Sequence, residues 1–477
     1  MNKSSINKIV AATVLAASLG ACKLPSVATK TENNAVPASY NGLQDTANMA
    51  TINWRSYFTD PYLAALIDTA LANNQELNIT LQEIQIARNE VRARKGEYLP
   101  FVKAGGGAGV DKVARYTNIG AMEANTEIKP GKEMPEPLAD YNIGLSANWE
   151  VDIWRKLRNA KDAAAKRYLA TTEGKNFVVT NLISEVANSY YELLALDNQL
   201  AIVNQNIEIQ NNALNVVKIQ KQAARATELA VKKFEAEVLK TTSYQYGIKQ
   251  QITETENKIN FLLGRFPQPI ARRGGGLPDE VPALAQEGVP AQLLENRPDV
   301  KQAELNLSAA KLDVKVAKAQ FYPSLGITAG VGYRAFNPAY LFNTPKSLLY
   351  NLAGDLVAPL INRNAIKATY ITANNKQVQA AYDYERTILN AYVEVANQLA
   401  KVNNLTNSYD LKLRQVAALA QSIDISNDLF KYARADYMEV LMTQRDALDA
   451  KLELVETKRD RLNASVNLYR ALGGGWR

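Results

Sequence analysis

Strict alternation of apolar and polar residues marks one stretch of the chain, YNIGLSANWEVDI at positions 141–153. A period of two residues predicts a β-strand with one apolar and one polar face. Three further segments, 101–110, 325–334 and 348–360, show similar alternation around glycines. The pattern therefore predicts four strands. The apolar positions of the first stretch are Ile143, Leu145, Ala147, Trp149, Val151 and Ile153.

Most of the remaining chain has helical periodicity. Residues 160–222 contain no proline and a single glycine, Gly174, and their apolar positions recur in steps of three, four or seven. This spacing is typical of coiled-coil packing. A helix of about 60 residues is roughly 90 Å long at about 1.5 Å per residue. The sequence predicts helices at 61–98, 160–222, 226–263, 298–321, 364–432 and 436–472.

Two copies of one unit fill most of the chain. Leu77 and Pro100 align with Val300 and Pro323 at one offset, and AARATELAV at 223–231 aligns with YARADYMEV at 432–440 at another. Each copy reads helix, strand, strand, long helix, helix, as in pseudosymmetric repeat architectures. We predict repeat 1 at 60–264, a connector at 265–296 and repeat 2 at 297–477. The faces of the helices away from the apolar seams carry polar residues, which suit either a water-filled bore or an outer surface.

The four strands have the length of membrane-crossing strands, which need about 9–11 residues. The alternative is a small, half-buried sheet in water. In hydrocarbon an open sheet edge is forbidden, because each unpaired backbone group costs several kcal/mol. Single-chain barrels start at about 8 strands, so membrane-spanning strands would have to be pooled. Two chains would give eight strands, and three chains would give twelve.

The first residues predict an export signal. Lys3 and Lys8 precede an apolar run, and residues 1–21 together have the features of a signal peptide. The segment LGAC at 19–22 resembles a bacterial lipobox, which predicts that Cys22 carries a thioether-linked diacylglycerol and an acylated (palmitate) amine. Residues 22–59 would then form a lipidated tether, and Lys23 favours retention in the outer membrane. The alternative is an ordinary leader with an incidental cysteine.

Composition excludes several classes of function. The net charge of +7 is spread along the helices, which argues against nucleic acid binding. With no histidine and one cysteine, the chain cannot form Cys/His metal sites, an intrachain disulfide or a histidine-based catalytic site. The stretch RRGGG at 272–276 lacks the Lys-Ser/Thr of a phosphate-binding loop, and Pro278 follows it. No later segment has 18 consecutive apolar residues. We predict no cofactor, no metal and no enzymatic activity.

Five ordered stretches carry a resemblance to a known family. They are WRSYFTDPYL at 54–63, WEVDIW at 149–154, LLGRFP at 262–267, RPDV at 297–300 and FYPSL at 321–325. Together they cover essentially the whole chain after the leader. The chain resembles the TolC-type outer membrane factors, in particular the lipoprotein subclass that contains OprM and CusC.

This resemblance implies a mainly α-helical trimer with a 12-stranded barrel, four strands from each chain, continuous with a long coiled-coil tunnel in the periplasm. It implies partnership with a periplasmic adaptor and an inner-membrane pump of the resistance-nodulation-division type. The protein would be a passive efflux duct for small molecules or ions. Two alternatives stay open: a duct for type I protein secretion, and a structural coiled-coil lipoprotein of the outer membrane.

The resemblance also places a gate where the helix pairs turn, at 223–229 and 433–438. Glu439 matches one acidic-ring position of the family, whereas Met442 occupies the other. Asp436 and Glu228 are nearby carboxylates that could supply or replace the ring. Like charges around a narrow axis would favour cations. The alternative for each acid is a solvated residue at a helix turn.

The same turns are the family's adaptor-contact region. Arg225 and Arg434 occupy equivalent places in the two turns, so we expect both to contact the adaptor; otherwise they are solvated caps. The family usually has glycine at the positions of Ala224 and Ala433. The turn geometry implied by the family is therefore in question at these two positions.

Overall fold

The computed structural model describes residues 25–40, 48–278, 288–432 and 434–477. The predicted signal at 1–21, the predicted lipid site Cys22 and the turn residue Ala433 lie outside the described residues. The chain divides into two compact units. The first comprises 1–31, 85–168 and 305–381, and the second comprises 32–84, 169–304 and 382–477.

Helices dominate both repeats, as predicted. The main ones are α1 (Pro61–Asn73), α2 (Gln75–Glu97), α3 (Asn118–Glu123), α4 (Lys156–Gln222), α5 (Glu228–Leu262), α6 (Pro298–Ala319), α7 (Asn364–Lys431) and α8 (Tyr437–Ala471). The long helices of the two copies, α4 and α7, have 67 and 68 residues, and α5 and α8 have 35 each. The predicted order of helix, strand, strand, long helix, helix is present twice. Among the described helices, none is both long and apolar enough to span a membrane.

Four antiparallel strands form one sheet in the first unit. They are β1 (Phe101–Asp111), β4 (Leu138–Val151), β5 (Ser324–Ala335) and β6 (Leu348–Val357), in the order β1-β4-β5-β6. The segment between β1 and β4 holds α3 and a two-stranded sheet, β2 (Glu127–Lys129) with β3 (Lys132–Glu133). This small sheet was not predicted, since its strands are too short to show a period. The mainly helical fold class with four strands is confirmed.

Two predicted strand ends were wrong. The second strand ends at Val151 rather than at 153, because the Asp152 carboxylate accepts hydrogen bonds from the N–H groups of Leu157 and Arg158 and so caps α4. The fourth strand ends at Val357 rather than at 360. Pro359 follows two residues later, and proline has no N–H group to donate to a neighbouring strand.

The predicted helix 61–98 is interrupted at Asn74. The Asn74 side chain accepts a hydrogen bond from the Leu77 N–H at 2.9 Å and donates one to the Leu262 carbonyl at 2.9 Å. It therefore caps α2 and ties this helix to the end of α5. Two helices begin after the predicted residue because the preceding residue is their cap, whereas α4 begins at Lys156 rather than at 160. For α5 the cap is Thr227 and for α8 it is Asp436.

The second unit is held by a buried aromatic and ionic network. The rings of Tyr57 and Tyr469 stack with centroids 4.2 Å apart, and the Tyr57 hydroxyl lies 2.7 Å from the Ser465 hydroxyl. Burial raises the pKa of Tyr57 well above its usual value, although the hydrogen bond with Ser465 acts in the opposite direction. Burial also raises the pKa of Tyr469, so both phenols stay neutral in the folded protein at physiological pH.

Arg297, from the RPDV stretch, is a buried cation that is only 6% exposed. Its guanidinium donates two hydrogen bonds to Asp299, one to Glu394 at 2.8 Å and one to the Ala471 carbonyl at 2.7 Å. Burial alone would lower the pKa of Arg297. The hydrogen bonds to Asp299 and the charge of Glu394 outweigh it and raise the pKa above its usual value. The network joins the start of α6 to α7 and to the end of α8.

Replacing Arg297 with glutamine should lower the free energy of unfolding by about 3–5 kcal/mol, because two carboxylates lose their buried partner. The matched control is Arg55→Gln. Arg55 also pairs with a carboxylate, Asp68, but its side chain is 60% exposed, so its loss should cost about 0–1 kcal/mol. Denaturant unfolding followed by circular dichroism measures both. Equal losses in the two variants would contradict the assignment of Arg297 as a central contact.

Candidate functional site

The register of the four-stranded sheet separates its residues into two faces. Leu145 lies opposite Ala104 of β1 and Val331 of β5, and Val331 lies opposite Tyr350 of β6. Directly opposed residues share a face of the sheet, so this row is apolar across all four strands. The same holds for every row of that face. The predicted alternation within single strands is therefore continuous across the sheet.

We call this surface the apolar face. All its members are aliphatic, aromatic or glycine. Leu145, Leu352 and Leu356 are 51%, 79% and 70% exposed in the single chain. A surface of this size and composition on a protein marks contact with a membrane or another protein. Its members are Val102, Ala104, Gly106, Ala108, Val110, Ala139, Tyr141, Ile143, Leu145, Ala147, Trp149, Val151, Leu325, Ile327, Ala329, Val331, Tyr333, Ala335, Leu348, Tyr350, Leu352, Gly354 and Leu356.

The opposite, polar face carries mostly charged, amide, hydroxyl and small residues, with four larger apolar ones, Phe101, Leu138, Leu349 and Val357. Arg334 forms a two-bond ion pair with Asp140 of the neighbouring strand, at 2.7 and 2.9 Å. Gly144 and Gly332 lie side by side, and a Cβ at Gly332 would come within 2.5 Å of the Ile143 carbonyl oxygen. Only glycine therefore fits at these two positions without a shift of the backbone. The polar face gives the sheet a water-compatible side.

Both outer strands of the sheet have an open edge. Among the described residues, β1 pairs only with β4, and β6 pairs only with β5. The other edge of each strand presents unpaired N–H and C=O groups, which are a template for pairing with another chain. Within one chain the sheet is open. A closed barrel needs strands from more than one chain.

The turn between α4 and α5 closes with a left-handed residue. The Arg225 N–H donates to the Gln220 carbonyl at 2.8 Å, and the Ala224 N–H donates to the Lys221 carbonyl at 2.9 Å. These two bonds define a Schellman motif, whose pivot usually is glycine. Here the pivot is Ala224, with φ of 54°. The left-handed turn therefore forms in this chain despite the Cβ of Ala224.

The turn between α7 and α8 contains a matching bond. The Arg434 N–H donates to the Leu429 carbonyl at 2.8 Å, which is equivalent to the bond from Arg225. Arg225 and Arg434 are both exposed. Their role in adaptor contact stays a prediction.

The three predicted gate acids have different surroundings. Asp436 is the N-cap of α8, and its carboxylate accepts hydrogen bonds from the N–H groups of Met438 and Glu439. The Glu228 carboxylate pairs with the Lys221 ammonium, which lowers the pKa of Glu228. Glu439 is exposed in the first turn of α8 and has no ion-pair partner within the part of the chain that the structure describes. Their role as a gate stays a prediction.

The ends of the two helix pairs meet in a small apolar cluster. Its buried members come from three helices of the second unit, with Tyr437 and Ala226 packed against them. The structure thus brings the two turns together, so Glu228 and Glu439 belong to one region of the unit. The buried members are Leu214, Val217, Ala230, Val231, Phe234 and Leu441.

Sequence analysis missed several contacts because they join residues far apart in the chain. The Trp154 indole donates to the Pro323 carbonyl at 2.7 Å and stacks on Tyr322, with ring centroids 4.8 Å apart. Arg334 and Asp140 belong to different repeats. The WEVDIW and FYPSL stretches carried the family resemblance, but their contact depends on the β4–β5 register. No group of three His, Cys, Asp or Glu residues suited to a metal was found in the described ranges.

Comparison with known proteins identifies the family. A profile described as outer membrane efflux protein matches residues 66–265 and 289–474. The chain belongs to the outer membrane efflux protein family. The predicted resemblance is confirmed. The family is one of outer membrane channel proteins rather than enzymes.

Relatives of this outer membrane efflux protein match over nearly their full length. The cation efflux system protein CusC of Escherichia coli K12 is 28% identical over 92% of both chains. The pyoverdine export outer membrane protein OpmQ of Pseudomonas putida is 29% identical over 97% of this chain and 96% of its own. A crystal structure of CusC superimposes with a TM-score of 0.80 at 25% identity, covering 94% of this chain and 99% of that one.

Replacing Ala224 with glycine should stabilise the first turn. A left-handed alanine costs roughly 1–2 kcal/mol, partly offset by the greater freedom of glycine in the unfolded chain, about 0.5–1 kcal/mol. Hydrogen exchange of the Arg225 amide should slow by about twofold to fivefold, as about 0.5–1 kcal/mol implies. The control is Ala223→Gly, where φ is not positive and exchange should accelerate. Faster exchange in both variants would contradict the Schellman geometry.

Proposed function

We propose that the protein is the outer membrane channel of a tripartite efflux system, a passive trimeric duct that carries small molecules or ions to the exterior. The observation that carries the proposal is the division of the sheet into one apolar and one polar face between two open edges. A sheet of this kind suits lipid on one side and water on the other. Membership of the outer membrane efflux protein family supports the same function.

Hydrogen bonding requires that several chains share the barrel. Each backbone group left unpaired in hydrocarbon costs several kcal/mol, and this sheet has two unpaired edges. The edge of β1 in one chain would pair with the edge of β6 in the next. Three chains would give a closed barrel of twelve strands, as the family resemblance implies, with the apolar face outward and the polar face lining the bore.

We propose that the helices form the tunnel that continues this barrel in the periplasm. At about 1.5 Å per residue, α4 and α7 are each roughly 100 Å long. The coiled-coil spacing of their apolar residues provides seams for neighbouring helices. The turns at 223–229 and 433–438 would lie at the far end, where a periplasmic adaptor and an inner-membrane pump dock and open the duct. The pump would supply the energy.

The names of the relatives indicate different cargoes on one fold. CusC is named for cation efflux, OpmQ for pyoverdine export, and SrpC of Pseudomonas putida for solvent efflux. We propose that cargo is selected by the pump, and that this chain supplies a route without a specific site. A type I protein-secretion duct remains the nearest alternative function. The lipobox-like LGAC segment favours the efflux lipoproteins, with the chain anchored in the outer membrane through Cys22.

We propose Glu439 as the main gate acid. Asp436 is already engaged as a helix cap, and the charge of Glu228 is balanced by Lys221. Glu439 has no such partner among the described residues, so three copies would place three uncompensated charges around the axis. Such a ring favours cations.

Conductance in planar bilayers tests the gate. Glu439→Gln should lower cation-over-anion selectivity severalfold, because it removes an uncompensated charge from each chain. Glu228→Gln is the matched comparison: the same substitution removes a charge that Lys221 already balances, so its effect should be smaller. Selectivity that is unchanged by Glu439→Gln would refute this gate. Absence of conductance in the wild-type protein and also in the double variant Asp436→Asn, Glu439→Gln would favour the structural-lipoprotein alternative.

Substitutions at adjacent strand positions test the orientation of the sheet in the membrane. Leu145→Arg places a charge on the apolar face, where a cation near the middle of the bilayer costs about 2–4 kcal/mol. Ser146→Arg places the same side chain on the polar face. The yield of folded, vesicle-inserted oligomer should fall strongly for the first variant and little for the second. Equal losses would show that the apolar face does not meet lipid.

A further inference from the structure

The first unit contains a groove with three cations beside a stacked aromatic pair, where α4 begins and α6 ends. We call it the Arg155 groove; it has a volume of about 480 Å³. The strands β4 and β5 end a few residues away, at Val151 and Ser324. The residues used below are Trp154, Arg155, Asp162, Lys315, Lys318 and Tyr322.

The cations of the groove are available to a ligand. Lys315 and Lys318 are exposed one turn apart on α6, and neither has an ion-pair partner among the described residues. Arg155 is 63% exposed and lies 4.0 Å from Asp162, the one acid of the groove. Asp162 itself contacts the Lys161 ammonium at 2.9 Å. Three basic groups thus face one carboxylate that is already partly neutralised, so the groove has an excess of positive charge.

The backbone fixes Arg155 in an unusual conformation. Its φ is 57°, a left-handed value that is uncommon for residues other than glycine, asparagine or aspartate. The Arg155 N–H donates to the Asp152 carbonyl, and the Arg155 carbonyl accepts from the Asn159 N–H at 2.9 Å. Asp152 contacts both sides of this turn, because its carbonyl accepts from the Arg155 N–H and its carboxylate accepts from the N–H groups of Leu157 and Arg158. The turn therefore fixes the backbone of Arg155 at the edge of the groove.

The aromatic pair gives the groove an apolar wall. Trp154 stacks on Tyr322, and its indole N–H is satisfied by the Pro323 carbonyl. Ile153 and Trp154 are about half exposed, at 51% and 47%. Tryptophan and tyrosine are favoured at membrane–water interfaces, where an apolar ring and a polar edge are both accommodated. A ligand that combines an anionic group with an apolar chain matches both parts of the groove.

We propose that the Arg155 groove binds the headgroup phosphate of an anionic phospholipid, with the acyl chains lying on the adjacent apolar face of the sheet. This inference rests on the proposed function, since it requires the sheet to lie in a membrane. A neighbouring cavity shares Trp154 and Tyr322 with the Arg155 groove and is also lined by Val151 of the apolar face, so the aromatic pair lies beside the end of that face. Arg155 and the two lysines provide the phosphate contacts, and Trp154 with Tyr322 lines the entry of the chains.

The test titrates the full-length protein in neutral detergent with phosphatidylglycerol or phosphatidylcholine of the same chain length and follows bound lipid by native mass spectrometry. Juxtamembrane cations contribute about 1 kcal/mol each toward anionic lipid. Phosphatidylglycerol should therefore bind on the order of tenfold or more tightly than phosphatidylcholine. Equal affinities for the two lipids in the wild-type protein would overturn the proposal without any variant.

Two triple variants with the same loss of charge localise the effect. Arg155→Gln, Lys315→Gln and Lys318→Gln together should abolish the preference for phosphatidylglycerol. The control replaces Lys218, Lys233 and Lys401, three exposed lysines of the second unit, with glutamine and should keep it. A preference retained by the first variant, or lost equally in both, would place the binding elsewhere and overturn the assignment.

Inorganic phosphate separates a lipid site from a simple anion site. At millimolar concentration it should leave phosphatidylglycerol bound, because the acyl chains add affinity that free phosphate lacks. Displacement by millimolar phosphate would overturn the lipid assignment. Planar-bilayer conductance separates the two proposals. A conducting protein without lipid preference refutes only the groove, whereas absence of conductance in both the wild-type protein and the Asp436→Asn, Glu439→Gln variant refutes the proposed function.

Discussion

The unpaired backbone N–H and C=O groups at the two edges of the sheet are the main constraint on how this protein can assemble. In water, an open edge can be satisfied by solvent. In hydrocarbon it cannot, and an exposed edge costs several kcal/mol for each unpaired group. The apolar face is suited to contact with hydrocarbon. In the single chain, however, β1 and β6 each leave one edge unpaired. These two features are compatible only if the edges of different chains pair with each other.

The internal repeat gives each chain two similar halves to contribute to such an assembly. Each copy contributes one strand pair, one long helix and one shorter helix, and the matching helices differ in length by at most one residue. The helix ends are also matched: Gly264 and Gly473 are the left-handed residues after α5 and α8, with equivalent backbone bonds. Equal lengths and equal caps allow two halves of one chain to occupy equivalent places in a ring, as pseudosymmetric repeats do.

Buried contacts are concentrated in the body of the second unit, whereas the residues proposed to meet partners are exposed at the two turns. Arg297, Tyr57 and Tyr469 are buried with satisfied polar groups, whereas Arg225, Arg434 and Glu439 at the two turns are exposed. Buried, paired charges are costly to break, but exposed residues at a turn can exchange one partner for another. This distribution agrees with a rigid body whose ends open when other proteins dock.

The sequence by itself determined the element types, the repeat and the family, because periods of two and of 3.6 residues and the aromatic-proline breaks are local signals. It also indicated Asp436 and Glu439 as turn acids. Tertiary structure decided which contacts the polar residues make. Asp436 is a cap, Glu228 is paired with Lys221, and Asn74 interrupts a helix by bonding to Leu262. It also decided that alternating residues on four separate strands form one continuous apolar face. Register and side-chain pairing depend on residues hundreds of positions apart, and no local pattern records which of them will meet.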